Sequence, residues 1–201
     1  MTARNLQIVI ALLAWLTLAG ELYVSLSNPK HATALAAIGH MYSYFTVISC
    51  TLAAIVYAAL LINPNGWAGR VPMRAALALY MVLLAIIFHV LLSGGVRTGL
   101  DIWLNISFHT VLPALVALDW LVFAPKHGLR LIHAFWWLAY PLIYCAVTML
   151  RGAFGDPYPY FFLDPAQGGY GGVAQWVLVL TAAFLVAGVL QILITRALTK
   201  R

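Results

Sequence analysis

The chain has 201 residues, of which 64% are hydrophobic and 8% charged, against about 25% charged in an ordinary soluble domain. So few polar side chains cannot coat a water-soluble globule of this size, which excludes a soluble domain and leaves an integral membrane protein. The formal net charge of +6 comes from Lys and Arg set singly between apolar runs, so it points to membrane topology and away from nucleic acid.

A membrane-spanning helix needs about 20 predominantly apolar residues. Six stretches qualify, and they predict an all-α polytopic bundle, a single domain over 1–201 with helices near 5–26, 40–62, 72–92, 101–123, 130–150 and 173–197. Breakers separate them: "SNPKHA", "NPNGWAGRVP", "SGGVRTG", "APKHG" and the long aromatic segment 151–172. The first stretch is longer than the apolar core of a signal peptide, and Glu21 interrupts any small-residue cleavage site, so it is read as a helix. Arg4, Arg70, Arg74, Lys126, Arg130, Arg196, Lys200 and Arg201 fall on one side, and Lys30, Arg97 and Arg151 on the other. That asymmetry predicts cytoplasmic termini in a multi-pass membrane protein.

In the first helix Glu21 is read as the only carboxylate well inside a span. It is free to orient a histidine, to pair with Arg151, or to stay protonated as a hydrogen-bond donor. The second helix, "HMYSYFTVISCT", places Tyr42, Thr46, Ser49 and Ala53 on one stripe of small or hydroxylated residues. A Thr in such a helix ordinarily bonds its own preceding turn or allows close packing. A hydroxyl beside a neutral imidazole, shielded from bulk water, is also the smallest nucleophile–base pair. The third helix adds His89.

The fourth helix carries Asp101, Asn105, His109 and Pro113 every four residues, one slowly drifting face. Pro113 lacks an N–H, so the His109 carbonyl loses its usual helical partner and needs a polar surrounding. Either this face lines a hydrated cavity with His109 as base or ligand, or Asn105 and His109 tie helices together. At 1.5 Å per residue, Thr46 and His109 both fall roughly 10 Å below the outer boundary, with Glu21, His89, Tyr144 and Thr148 in the same half.

The fifth helix aligns His133, Trp137, Tyr140, Tyr144, Thr148 and Arg151, with a kink at Pro141. The segment after it is too aromatic for a solvated linker and too rich in Pro and Gly for a helix. Its Tyr158, Tyr160, Phe161 and Phe162 suit the membrane interface, as a lid over the outer cavity or as an anchor. Cys50 and Cys145 lie in apolar runs and read as packing residues. The histidines show no HxxxH or HExxH spacing, so no metal or other cofactor is expected.

The pieces "YFTVIS", "NISFHTVLP", "WWLAYPLIY" and "YPYFFLD" together resemble the prokaryotic six-transmembrane family written Pr-six-Pr, nearly end to end in helix count and motif order. That family is itself similar to the eukaryotic androgen-induced and androgen-dependent membrane proteins, threonine hydrolases of fatty acid esters of hydroxy fatty acids. The resemblance implies Thr46 as nucleophile and His109 as base, with Ser43 and Ser49 the other hydroxyls near the motif. Asn105 then either donates to the oxyanion or fixes the histidine tautomer. Glu21, Ser43, Ser49, His89, Asp101, Tyr144, Thr148, Arg151, Tyr158 and Tyr160 are the candidates to line the pocket. The expected partners are membrane lipids and a lipophilic ester. The competing expectations are a proton-coupled carrier using Glu21, His89 and His109, and a structural membrane protein whose polar interior serves packing alone.

Overall fold

In the computed structural model, residues 2–94 and 98–199 are described, so Arg97, Lys200 and Arg201 of the charge count lie outside the described residues. The described chain is helical, and six of its helical stretches are long and apolar enough to cross a membrane: Ala3–Ser27, Phe45–Ile62, Val71–Leu92, Leu100–Val122, Ile132–Ala153 and Pro165–Ala197. This is the fold of a multi-pass membrane protein. It divides into two compact units, Met1–Pro125 and Lys126–Arg201.

In the first unit, α1 (Ala3–Ser27) starts at Thr2, whose hydroxyl accepts from the Asn5 N–H, and stops at Asn28 before Pro29. A short α2 (Ala34–Met41), capped by Thr33, packs on α1. The second span was expected as one helix from 40 to 62. It is broken at Tyr42–Tyr44, and α3 runs Phe45–Ile62. The Ser43 hydroxyl donates to the His40 carbonyl at 2.6 Å and offers that backbone group an alternative to the helical ladder. Tyr42 therefore does not continue the stripe of Thr46, Ser49 and Ala53, although Ser49 and Ala53 are fully buried as that stripe requires.

Helix α4 (Val71–Ile87) begins with Pro72 in its first turn, where the missing N–H has no intrahelical partner to lose, and is buried along Arg74–Met81. Its end, Phe88–Leu92, widens into a π turn. The fourth span is α5 (Leu100–Ile106), a π turn over Ser107–Val111, and α6 (Leu112–Val122). The π turn is how the helix absorbs Pro113: the Leu112 N–H reaches back five residues to the Ser107 carbonyl. Helix α1 packs on α3 and α6, and α4 on α6 and α3.

In the second unit the fifth span is two helices, α7 (Ile132–Trp137) and α8 (Ala139–Ala153), parted at Leu138 because Pro141 cannot donate to the Trp137 carbonyl. The last helix, α9, spans Pro165–Thr199 and begins eight residues before the expected 173. Asp164 caps it by accepting from the Ala166 N–H, and Gly168 and Gly169 kink it, Gly169 at φ 68° in the region that favours glycine. The glycines beyond the kink stay helical, because one glycine costs only about 1 kcal/mol against the propagation of a long apolar helix.

Candidate active site

Thr46 occupies the first turn of α3, and His109 the π turn between α5 and α6. Thr46 Oγ1 lies 3.3 Å from His109 Nε2, and His109 Nδ1 lies 3.0 Å from the backbone carbonyl of Asn105. A carbonyl oxygen only accepts, so the proton of the neutral ring sits on Nδ1. The Nε2 lone pair is thereby left facing the threonine hydroxyl. It is the backbone carbonyl of Asn105, and not its side chain, that meets Nδ1. Phe88, from the π turn that ends α4, stacks on the imidazole with ring centroids 3.6 Å apart and planes at 15°. The ring is thus held along one edge and over one face.

The break before α3 matters here. The first helical hydrogen bond of α3 runs from the Ile48 N–H to the Tyr44 carbonyl, at 3.3 Å. The N–H groups of Thr46 and Val47 precede it and have no carbonyl within the helix to donate to. They lie at the positive end of the helix, on the residue that bears the hydroxyl and its neighbour.

The other expected residues separate into groups. Ser43 is buried with its hydroxyl on the His40 carbonyl, and Ser49 is fully buried about one helical turn into α3. Glu21 is half-buried, in electrostatic range of Asp101 and of Tyr44, the residue that opens α3. Asp101 is exposed in the first turn of α5. His89 is exposed, and its Nε2 is 3.1 Å from the hydroxyl of Thr110, a partner the sequence reading passed over. In the second unit, Thr148 is buried on α8, and the Tyr144 and Tyr160 rings are 6.4 Å apart. Tyr158 is half-buried in the same loop. Arg151, a candidate partner of Glu21, pairs with Asp156 in its own loop at 2.8 Å.

A second polar cluster lies in the first unit, away from Thr46 and His109. Asp119, 1% exposed, forms a buried ion pair with Arg74 and accepts from the Tyr57 hydroxyl at 2.8 Å and from Gln7 Nε2 at 3.4 Å. Glu21 is therefore not the sole carboxylate inside a span, and Arg74 is not a flanking surface charge. Tyr57 lies eleven residues beyond Thr46 and Asp119 ten beyond His109, so the two clusters are separated by roughly 15–17 Å along the same two helical rods. A charge placed at helical spacing from apolar neighbours was the available signal, and its partner on α4 was masked by the topology count.

Comparison with protein-family models, with curated proteins and with solved structures returns no match.

Proposed function

We propose that this protein is an intramembrane hydrolase of lipid acyl esters in which Thr46 is the nucleophile and His109 the general base. The single observation that carries the reading is the approach of Thr46 Oγ1 to His109 Nε2 at 3.3 Å, with Nδ1 engaged by the Asn105 carbonyl. An apo nucleophile–base contact of this length lies just beyond the working range of about 2.6–3.2 Å. His109 takes the hydroxyl proton as Thr46 attacks the ester carbonyl. The tetrahedral oxyanion meets the N–H groups of Thr46 and Val47. The imidazolium then protonates the leaving alkoxide, and the acyl group stays on Thr46. Water, deprotonated by His109, attacks that acyl-threonine, and the fatty acid departs as Thr46 regains its proton. The same assignment follows from the resemblance to the six-transmembrane threonine hydrolases, and it goes with a bacterial inner-membrane location and cytoplasmic termini.

The test is covalent labelling of the purified protein by a serine/threonine-directed fluorophosphonate. Labelling is expected in the wild type and in Thr46→Ser, and lost in Thr46→Ala and His109→Ala. Thr110→Val should label normally, because the Thr110–His89 pair is exposed and is not the one that carries the reading. Absence of labelling in the wild type, or labelling that persists in Thr46→Ala, overturns the assignment.

A further inference from the structure

A second candidate binding site lies in the second unit, at the start of the last span. A cleft of about 280 Å³ is bounded by Phe161, Phe162, Asp164, Gln167, Trp176 and the kink at Gly168. The Phe161 and Trp176 rings meet nearly at right angles (88°) with centroids 5.8 Å apart, and Phe162 lies 5.9 Å from Trp176 at 42°. Phe162 is held in turn by Tyr160, stacked on it at 5.1 Å and 9°. Phe161 and Phe162 also meet edge to face, at 5.3 Å and 79°, so the three rings pack on one another as aromatic pairs prefer and turn faces and edges in different directions. Their faces carry the negative lobe of the aromatic quadrupole.

Asp164 supplies a full negative charge beside these rings. One of its oxygens accepts from the Ala166 N–H at 2.9 Å, and no ion pair of Asp164 is present among the described residues. The helical turn that it caps is interrupted at once by Gly168 and Gly169, so the positive end there is that of a single turn. The wall at Gly168 adds no side chain, and a Cβ placed there would meet nothing within 4 Å. The volume is slightly below the range of about 300–1,000 Å³ usual for small-molecule sites, which suits a headgroup-sized ligand and not a whole lipid.

We propose that this cleft binds a quaternary ammonium group, with the Phe161, Phe162 and Trp176 rings around its methyl groups and the Asp164 carboxylate balancing its charge. A primary ammonium donates three N–H bonds, and of the cleft's three side-chain acceptor oxygens, two on Asp164 and one on Gln167, one already accepts from the Ala166 N–H. A quaternary ammonium has no N–H and is recognised by ring faces and charge alone. The source is either a free organic cation or a choline-type phospholipid headgroup, the cleft lying at the start of the candidate span Pro165–Ala197.

The full chain, purified in a maltoside detergent, is titrated with tetramethylammonium, phosphocholine and the neutral isostere 3,3-dimethyl-1-butanol, read by saturation-transfer NMR of the ligand methyl groups. In parallel, nanodiscs of phosphatidylcholine and of phosphatidylglycerol are compared for lipid retained on the protein by native mass spectrometry. The expected result is saturable binding of the cations with the isostere at least tenfold weaker, or retention of phosphatidylcholine alone. Binding should weaken at least tenfold in Asp164→Asn, which keeps an acceptor for the helix cap, and in Trp176→Leu. Where Trp176→Leu fails to fold, Trp176→Phe keeps an aromatic face and should bind within about threefold of wild type. Binding of the soluble cations assigns a free ligand, and retention of the intact lipid without them assigns the headgroup. Binding in no arm, equal binding of the isostere, or wild-type binding by Asp164→Asn overturns the proposal.

Discussion

Replacing Asp119 with leucine tests the reasoning about the first unit most directly. The carboxylate is 1% exposed and Arg74 8% exposed, so the substitution leaves a guanidinium buried with no counter-charge. Breaking a buried pair by removing one partner costs about 3–5 kcal/mol. The Tyr57 hydroxyl, 3% exposed as a residue, also loses its acceptor, which adds about 1 kcal/mol or more. The total, roughly 4–6 kcal/mol, is a large part of the 5–15 kcal/mol by which proteins are ordinarily stable. The variant should fold in poor yield.

The paired replacement Arg74→Met with Asp119→Leu removes both charges, and apolar pairs of similar volume are about as good as a buried ion pair, or better. Much of the loss should return, leaving a coupling energy of at least about 3 kcal/mol between the two sites. The measurement is reversible unfolding in mixed micelles with rising dodecyl sulfate, followed by tryptophan fluorescence, on the wild type, both single variants and the double. A single Asp119→Leu variant within about 1 kcal/mol of wild type would refute the buried-pair reading. So would a double variant as damaged as the sum of the singles.

Other expectations follow from particular contacts. Phe88→Leu keeps apolar volume but removes the ring that lies on His109. Ester turnover should fall at least about tenfold in kcat, with KM little changed, because His109 is loosened while the substrate is still held. Gly69→Ala drives a methyl onto the Pro64 backbone carbonyl in the turn between α3 and α4, so it should destabilise by more than about 2 kcal/mol in the same unfolding assay. Gly171→Ala, inside α9 with nothing within 4 Å of the new methyl, should be neutral or stabilising by up to about 1 kcal/mol.

The spans were legible because apolar length is a direct physical requirement of the bilayer, and all six stretches are helical as the hydropathy demands. The pairing of Thr46 with His109 was legible for a related reason: parallel rods with equal rise bring residues at equal depth together. What hydropathy does not encode is where a helix pauses. The hydroxyl of Ser43 ends one helix and Pro113 converts a turn to π geometry, while the division of the fifth span was legible only from Pro141 itself. Each is a local hydrogen-bond exchange with almost no hydropathic signature. Asp119 was visible as a charge in an apolar run. Its three partners sit on α1, α3 and α4, and only the packing of those helices brings them together.

On the proposed mechanism, the pause before α3 is also what supplies the oxyanion donors beside Thr46. In a helix continuous from 40 to 62, the Thr46 N–H would bond the Tyr42 carbonyl and the Val47 N–H the Ser43 carbonyl, leaving no donors for an oxyanion beside the hydroxyl. The structure instead starts α3 at Phe45 and holds the break through Ser43, whose hydroxyl is on the His40 carbonyl at 2.6 Å. Ser43→Ala removes that bond and favours the uninterrupted helix without touching Thr46 or His109. Fluorophosphonate labelling should slow by about tenfold or more, since removal of one such donor elsewhere costs about 10²–10³ in rate and the break should be only partly lost here. Amide exchange at Thr46 and Val47 should slow at the same time, as their N–H groups gain helical acceptors. Wild-type labelling together with protected amides at these two positions would show that the first-turn donors take no part, leaving the hydroxyl–imidazole pair to act without them.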